Sequence, residues 1–374
     1  MAWVEKRGPW FRVRYRSADG TVHTSPDKYS SRTAATEAAE EMETDARRGQ
    51  FIDPNSARTG LPEWAHTWRR SHSVAPSTRA KYDHHLDAHI LPAFGEVGLD
   101  TIRRLAVKQW AQELSARYAP STVSGIVTLL SIVLTEAVNE RMIAHNPIQG
   151  LRLGQLGAGH HDYSSKDRPI PTAGQVRQIC ERVRRLGGRN MEIMVITAAW
   201  TGMRWGELAG LARGNCRTGD GYLVIDPDVG SLHEVGARLW LGPPKSRAAA
   251  RRIDLPAFLA ELLEEVMAGH DQDQVFVASR GGWLRRSHFC RRVWRPACDG
   301  GLDPDSTEPS ILTGAVFHGL RHHHKTILDE LDLPEVIKHE RMGHKMKGIQ
   351  GVYSHVTDAM RRRLVTRLQR RWRG

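Results

Sequence analysis

Hydrophobic positions change their period several times along this chain. Residues 9–16 alternate, with Phe11, Val13 and Tyr15 on one side and Arg12, Arg14 and Arg16 on the other, which is the period of a strand. Asp19-Gly20 then signals a hairpin, Thr21-Val-His-Thr a return strand, and Thr33 to Arg47 a helix ended by Gly49. Asp53-Pro-Asn-Ser reads as a linker. The next stretch is helical over Leu61–Arg70, Ser77–Ile90, Thr101–Tyr118 and Ser121–Met142, punctuated by Pro76, Pro92, Gly95, Gly98 and Pro120. In the fourth helix Ile126, Leu129, Leu130, Val133, Leu134, Ala137 and Val138 form a core stripe. Ala144-His-Asn-Pro147 closes this region, and residues 150–168, rich in Gly and Ser, read as a second linker.

From Pro169 onward helices and short strands mix. Thr172 and Gln175 make a capping box, and Met191–Trp200 has the content of a buried helix. Short strands are expected over Gly221–Pro227, Arg238–Gly242 and Arg251–Pro256, then a helix over Leu259–Val266 and a short buried segment, Gln274–Ala278. Arg285–Trp294 is a basic helix offering Arg285, Arg286, Arg291 and Arg292, with Arg295 just beyond, and residues 299–314 are a polar loop. At the end Met360, Leu364, Leu368 and Trp372 recur at steps of four, so a terminal helix needs a surface to cover its stripe. The expected fold class is α+β, mostly helical. A small N-terminal β-sheet plus helix spans 1–56, a helical bundle 60–149, a linker 150–168 and a mixed α/β domain 169–374.

Charge narrows the class of partner. The formal net charge is +12 and the pI about 9.9. Residues 158–374 hold 34 Lys and Arg against 25 Asp and Glu, so most of the excess lies there. Such a balance favours a polyanion. Cys180, Cys216, Cys290 and Cys298 show no CxxC spacing, which suits a reducing compartment and neither a disulfide frame nor a zinc site. No run approaches a membrane span in this reading, and the N-terminus lacks an apolar signal core, so a cytoplasmic protein is expected. His160-His161 and His322-His-His324 do not make metal sites, because adjacent residues without further ligands cannot converge on one ion.

The chemistry concentrates in a few short motifs. His318-Gly-Leu-Arg321 places an imidazole and a guanidinium three apart, on one face of a helix. Met342-Gly-His344 adds a second imidazole after a turn, and Tyr353 follows inside Gly351-Val-Tyr-Ser-His. A guanidinium matches a phosphate in a bidentate way, and a tyrosine oxygen can attack phosphorus once its proton is removed and the phosphate charge neutralised. Thr201-Gly-Met-Arg204-Trp-Gly-Glu207 lies upstream, and Lys245 sits in Gly242-Pro-Pro-Lys-Ser-Arg between the two groups.

Taken in order, Arg204, Lys245, His318-x-x-Arg321, His344 and Tyr353 resemble the signature of the tyrosine recombinases, the phage integrase family, over residues 169 to 357. The resemblance implies an N-terminal arm-binding domain, a helical core-binding domain that clamps a duplex, and a catalytic domain. Arg204 and Arg321 would grip the non-bridging phosphate oxygens and His344 would add a hydrogen bond. Tyr353 would form a 3′-phosphotyrosine, His318 would take or orient its proton, and Lys245, in a hairpin turn, would protonate the 5′ oxygen. Glu207 would hold Arg204 or a histidine in place. Arg12, Arg14, Arg16, Arg79, Lys81, Arg103, Arg104 and Lys108 join the basic helix as candidate DNA contacts. No cofactor or metal is implied. The expected partners are double-stranded DNA attachment sites, a homo-tetramer on DNA, and an excisionase or host DNA-bending protein, with no membrane. A terminal helix in this family often docks on a neighbouring copy, and docking on its own domain is the alternative left open. The Arg and Ala content hints at an actinobacterial mobile element. The rival readings are a type IB topoisomerase, which would relax supercoils without joining two sites, and a DNA-binding protein that does not cleave. A histidine-based metallohydrolase stands further off.

Overall fold

The computed structural model describes residues 2–17, 20–95, 97–153, 168–301, 308–346 and 355–373. The candidate nucleophile Tyr353, the pair His160-His161 and Asp19 of the expected hairpin lie outside the described residues. The chain divides into two compact units, Met1–Asp162 and Tyr163–Gly374.

The first unit begins with a three-stranded antiparallel sheet in the order β1 (Ala2–Arg7), β2 (Trp10–Arg16) and β3 (Val22–Thr24). Strand β1 is an addition to the sequence reading. Its Val4 pairs opposite Val13, and its Trp3 and Glu5 stand opposite Arg14 and Arg12. Val13 turns inward onto Ala35 and Ala39 of α1 (Arg32–Arg47), whose N-cap Ser31 accepts from the Ala34 amide, while buried Tyr15 packs on His23 and Phe51. The segment read as a linker is tied to this sheet: Tyr15 donates to Asp53, and Asn55 Nδ2 donates to the Tyr15 hydroxyl at 2.8 Å and to the Thr24 carbonyl at 3.1 Å.

A second core forms among α2 (Leu61–Ser71), α3 (Pro76–His85), α4 (Leu91–Phe94), α5 (Arg104–Ser115) and α6 (Pro120–Asn139). The predicted stripe of α6 is its centre, and Trp64 Nε1 donates to the Val133 carbonyl at 2.9 Å. By length and composition α6 is apolar enough to cross a membrane, the one such helix among the described residues, which corrects the sequence reading. Pro92 was expected to end a helix, and instead the chain winds through it. A π turn over Leu86–Ile90 carries the Leu91 amide to the Leu86 carbonyl, five residues back, just before the ring that would strike a normal helical turn. The second unit repeats the device. A π turn over Cys290–Trp294 joins α11 (Arg286–Phe289) to α12 (Arg295–Asp299) and admits Pro296, so the basic helix runs on past its expected end.

In the second unit α7 (Ala173–Gly187) carries the predicted capping box, and α8 (Arg189–Thr201) is buried at every residue from Met191 to Thr201. A helix apolar all round belongs at the middle of a domain. Around it pack α9 (Trp205–Ala209), a sheet ordered β4 (Cys216–Arg217), β5 (Tyr222–Ile225), β8 (Arg251–Asp254), and the hairpin β6 (Ser231–Val235) with β7 (Arg238–Gly242). Helices α10 (Ala257–Ala268), α13 (Gly319–Glu330), α14 (Glu335–Met342) and α15 (Asp358–Arg373) complete the unit. Strands β4 and β6 were not foreseen.

The stripe of α15 is covered by its own unit. Leu364 and Leu368 are buried, and the Trp372 ring stacks on Phe258 at 4.2 Å and meets Trp200 edge-on at 5.6 Å. Such aromatic pairs add about 0.5–1.5 kcal/mol beyond the area they bury. Polar bonds fix the register: the Phe258 amide donates to Gln369 Oε1 at 3.1 Å, and Arg361 bridges Asp254 and Glu340.

Candidate active site

Two left-handed glycines bring the distant motifs together. Helix α8 ends at Gly202, with φ of 67°. A Cβ there would lie 2.8 Å from Met342 Sδ and 2.9 Å from His324 Cδ2, so only glycine fits both the backbone and the packing. Helix α14 ends at Gly343, φ 61°, where a Cβ would meet Arg251 Nη1 at 2.9 Å. Arg321, in the first turn of α13, spans the two ends. Its Nη1 donates to the Gly202 carbonyl, its Nη2 to the Met342 carbonyl, and Nη2 also meets His344 Nε2 at 2.9 Å. A guanidinium only donates, so His344 Nε2 accepts and its proton sits on Nδ1.

Arg204 follows Gly202 and faces outward as the N-cap of α9. Its Nη1 donates to Glu207 Oε1 at 2.7 Å, and its amide to Glu207 Oε2 at 3.1 Å. Glu207 is 1% exposed. Its second oxygen also accepts from Arg251 Nη2 at 3.1 Å, and breaking a buried pair of this kind costs about 3–5 kcal/mol. Arg251 further donates from Nε to the Arg341 carbonyl at 2.8 Å and from Nη1 to the Ala249 carbonyl at 2.7 Å.

A cleft of about 820 Å³ opens over these groups, lined by Arg204, Lys245, His318, Arg321 and His344 with Lys345, His339 and Glu335 at its margin. Lys245 is exposed, and the structure corrects its placement. The tip of the β6–β7 hairpin is Gly236-Ala237, whereas Lys245 lies past β7, on the connection that crosses to β8 in the other sheet. Of its three basic neighbours in sequence, Arg251 is turned inward on Glu207 and Arg252 is held by Asp254 and the Tyr222 ring.

The cleft is positive. Arg204, Lys245, Arg321 and Lys345 face it, while Glu335 is already paired with Lys338. Burial first, then the charges of Arg204 and Arg251, push Arg321 down to about 9, still charged at neutral pH. Loss of water lowers His318 to about 4, helped by His322, Arg321, Arg204 and Arg286. His344 falls to about 4 for the same first reason, with Arg321 and Arg204 next. Burial alone would raise Glu207, but the charge and hydrogen bond of Arg251 and the bonds from Arg204 hold it below its ordinary value. Two guanidinium groups and two neutral imidazoles thus face a cavity with positive charge in excess, a receptor for a phosphodiester.

Comparison with known proteins decides the family. Residues 172–360 match the phage integrase family, and residues 61–115 match the phage integrase N-terminal SAM-like domain. The chain belongs to the phage integrase family. A putative prophage phiRv2 integrase of Mycobacterium tuberculosis is 28% identical over 271 residues, which is 70% of this chain and 67% of the relative. The integrase of Mycobacterium phage L5 is 26% identical over 241 residues, 63% of this chain and 61% of the relative. In fold the chain is similar to the Tn1549 transposon integrase in complex with a circular intermediate DNA, at a TM-score of 0.63 and 17% identity, over 82% of this chain and 98% of the other. It is similar also to a lambda integrase tetramer bound to a Holliday junction, at 0.57 and 17%, over 95% and 94%. This integrase is a tyrosine recombinase, a DNA strand-transferring enzyme.

The candidate DNA contacts of the integrase fall into two groups. Arg12, Arg14 and Arg16 share one sheet face with the exposed Trp3 and Trp10; Arg14 lies over Trp3 and 3.5 Å from Glu5. Lys81, Lys108, Arg286, Arg291, Arg292 and Arg295 are exposed. Others are engaged by the fold itself. Arg79 donates to the Arg69 and His72 carbonyls at the end of α2, and Arg103 to the Asp100 carbonyl. Arg104 donates to the Gln149 and Gly150 carbonyls, and Arg285 to the Gly236 and Ala237 carbonyls of the hairpin tip.

Sequence reasoning missed a buried brace behind the site. Arg341 donates from Nε to His324 Nε2, from Nη1 to the Asp254 carbonyl and from Nη2 to the Trp200 carbonyl, each at 2.9 Å. His324 therefore holds its proton on Nδ1, 3.1 Å from the Ala199 carbonyl. The available signal was position: Arg341 follows Ile337 by four residues, on the apolar stripe of α14. Burial holds His324 well below its ordinary pKa, and His323 is lowered too. These histidines bind protons in the unfolded chain but not in the folded one, so acid favours unfolding. The urea midpoint of the integrase should be level above about pH 7 and fall as pH drops from about 6.5 to 5, before carboxylates titrate. A midpoint unchanged across that window would contradict the neutral histidines.

Proposed function

We propose that this integrase cleaves and rejoins DNA through Tyr353, with Arg204, Arg321, His344, His318 and Lys245 as the groups around the reacting phosphate. The observation that carries the reading is the convergence of Arg204, Lys245, His318, Arg321 and His344, from four separate stretches of chain, on one positive cleft. Arg204 and Arg321 grip the non-bridging oxygens. Three N–H groups of Arg321 are held by the fold, which fixes its plane and leaves others for phosphate. His344, with Nε2 facing Arg321, offers Nδ1–H to an oxygen. Tyr353 Oη attacks phosphorus, the bond to the 5′ oxygen breaks, and a 3′-phosphotyrosine forms. Neutral His318 accepts the tyrosine proton, and Lys245 gives one to the departing 5′ oxygen. The covalent link keeps the phosphodiester energy, so a 5′ hydroxyl from the same or another duplex reverses the step without ATP or metal.

The other domains supply the address. Residues 60–149 serve as the core-binding domain, joined by 150–168 to the catalytic domain, 169–374. The arginine face of the sheet in residues 1–56 reads a distal arm site. The working assembly is a homo-tetramer on two attachment sites, in the cytoplasm of the host, with an excisionase or host DNA-bending protein setting direction. The element is a phage, plasmid or integrative element.

Tyr353→Phe should keep duplex binding and lose the covalent protein–DNA adduct, while the wild type forms that adduct in EDTA. Labelled attachment-site DNA on denaturing gels reads both outcomes. An adduct from the variant would remove Tyr353 as nucleophile, and a wild type silenced by EDTA would remove the metal-free route.

Lys245→Ala should fail on ordinary DNA and recover on DNA with sulfur at the 5′ bridging position, because a thiol of pKa near about 8.5 leaves without a proton donor. Arg204→Ala should stay defective on both. Equal defects of Lys245→Ala on the two substrates would reduce the lysine to a DNA contact.

A further inference from the structure

We infer that Arg251 is a positioning residue for strand cleavage, setting Glu207 so that Glu207 can set Arg204. The inference rests on the reading of Arg204 as a phosphate ligand. The Arg251 side chain is 3% exposed and, unlike Arg321, does not line the cleft. Its one planar group instead bonds three separate parts of the site. Nη2 reaches Glu207, behind Arg204. Nε reaches the carbonyl of Arg341, whose neighbour Met342 accepts from Arg321. Nη1 reaches the Ala249 carbonyl, in the connection that also carries Lys245. The Gly343 turn that presents His344 packs directly on this guanidinium.

Three acceptors in three directions need the fixed fork of an arginine; a lysine ammonium on a flexible stem cannot hold all of them in one plane. Without Arg251 the Glu207 carboxylate keeps a single charged bond, to Arg204. It must then take up a proton or draw Arg204 inward, and either outcome moves the phosphate ligand. Arg204, Arg251 and Arg321 are the charged groups facing Glu207. A displacement of about 1 Å in such a group can cost about 100-fold in rate.

The test is single-turnover adduct formation on attachment-site DNA, with duplex affinity measured separately. Wild type, Arg251→Lys, Arg251→Met, Glu207→Gln and the Arg251→Met/Glu207→Gln double variant are compared as full-length chains. Arg251→Met should cleave about 100-fold more slowly at saturating DNA, with affinity changed less than about threefold. Arg251→Lys, which keeps the charge and guards against a fold that simply fails, should be slowed as well. Arg251→Met should gain an ionisation above the ordinary carboxylate range, so that raising pH restores part of its rate; the double variant should lack it. The double variant should be no slower than the slower single. Arg251→Lys at the wild-type rate, or defects that multiply in the double variant, would overturn the inference while a wild-type adduct leaves the function standing. A wild type that forms no adduct overturns both.

Discussion

A guanidinium that can only donate, buried where two helices end, fixes this active site. Arg321 is 4% exposed, and among the described residues its recorded partners are two carbonyls and an imidazole, with no carboxylate. Burying an uncompensated charge is costly, so the surrounding backbone must be placed to receive it. That requirement explains the two left-handed glycines, which turn the Gly202 and Met342 carbonyls toward Arg321. Burial itself lowers the proton affinity of Arg321 and His344, and the neighbouring guanidinium charges lower it further. The cleft carries positive charge in excess, the complement of a phosphodiester.

Behind this open layer lies a closed one. Arg251 and Arg341 are buried and engaged with Glu207, His324 and backbone carbonyls. Arg361 extends the brace from α15 to Asp254, whose carbonyl accepts from Arg341. Arg204 and Arg321 line the cleft, while Arg251 and Arg341 lie behind it and bond the groups around them. The terminal helix belongs to the same brace, which is why its apolar stripe finds cover on its own unit.

Much of this was legible in the sequence where a local rule decides the outcome. The stripe of α6, the capping box at Thr172 and the turn at Gly343 each follow from period or backbone freedom. The order of Arg204, Lys245, His318, Arg321 and His344 marked a site that the fold then gathers. What was hidden depends on tertiary context. Nothing in residue type separates inward Arg251 from outward Arg252, its neighbour on the same strand. The π turns before Pro92 and Pro296 reverse the usual meaning of proline, and strand β6, Ser-Leu-His-Glu-Val, carries too few strand formers to announce itself. Strands expected on either side of Lys245, Arg238–Gly242 and Arg251–Pro256, suggest a hairpin turn, but the two belong to different sheets.

The central claim is that the cleft around Arg321 is built to hold the scissile phosphate. A structure of the Tyr353→Phe chain on uncleaved attachment-site duplex tests it most directly. The account predicts the phosphate in the cleft, its two non-bridging oxygens at about 2.7–2.9 Å from the guanidinium groups of Arg204 and Arg321, with Arg321 still bonded to the Gly202 and Met342 carbonyls. A duplex bound with its phosphate outside this cleft, or with Arg321 withdrawn from it, would contradict the account.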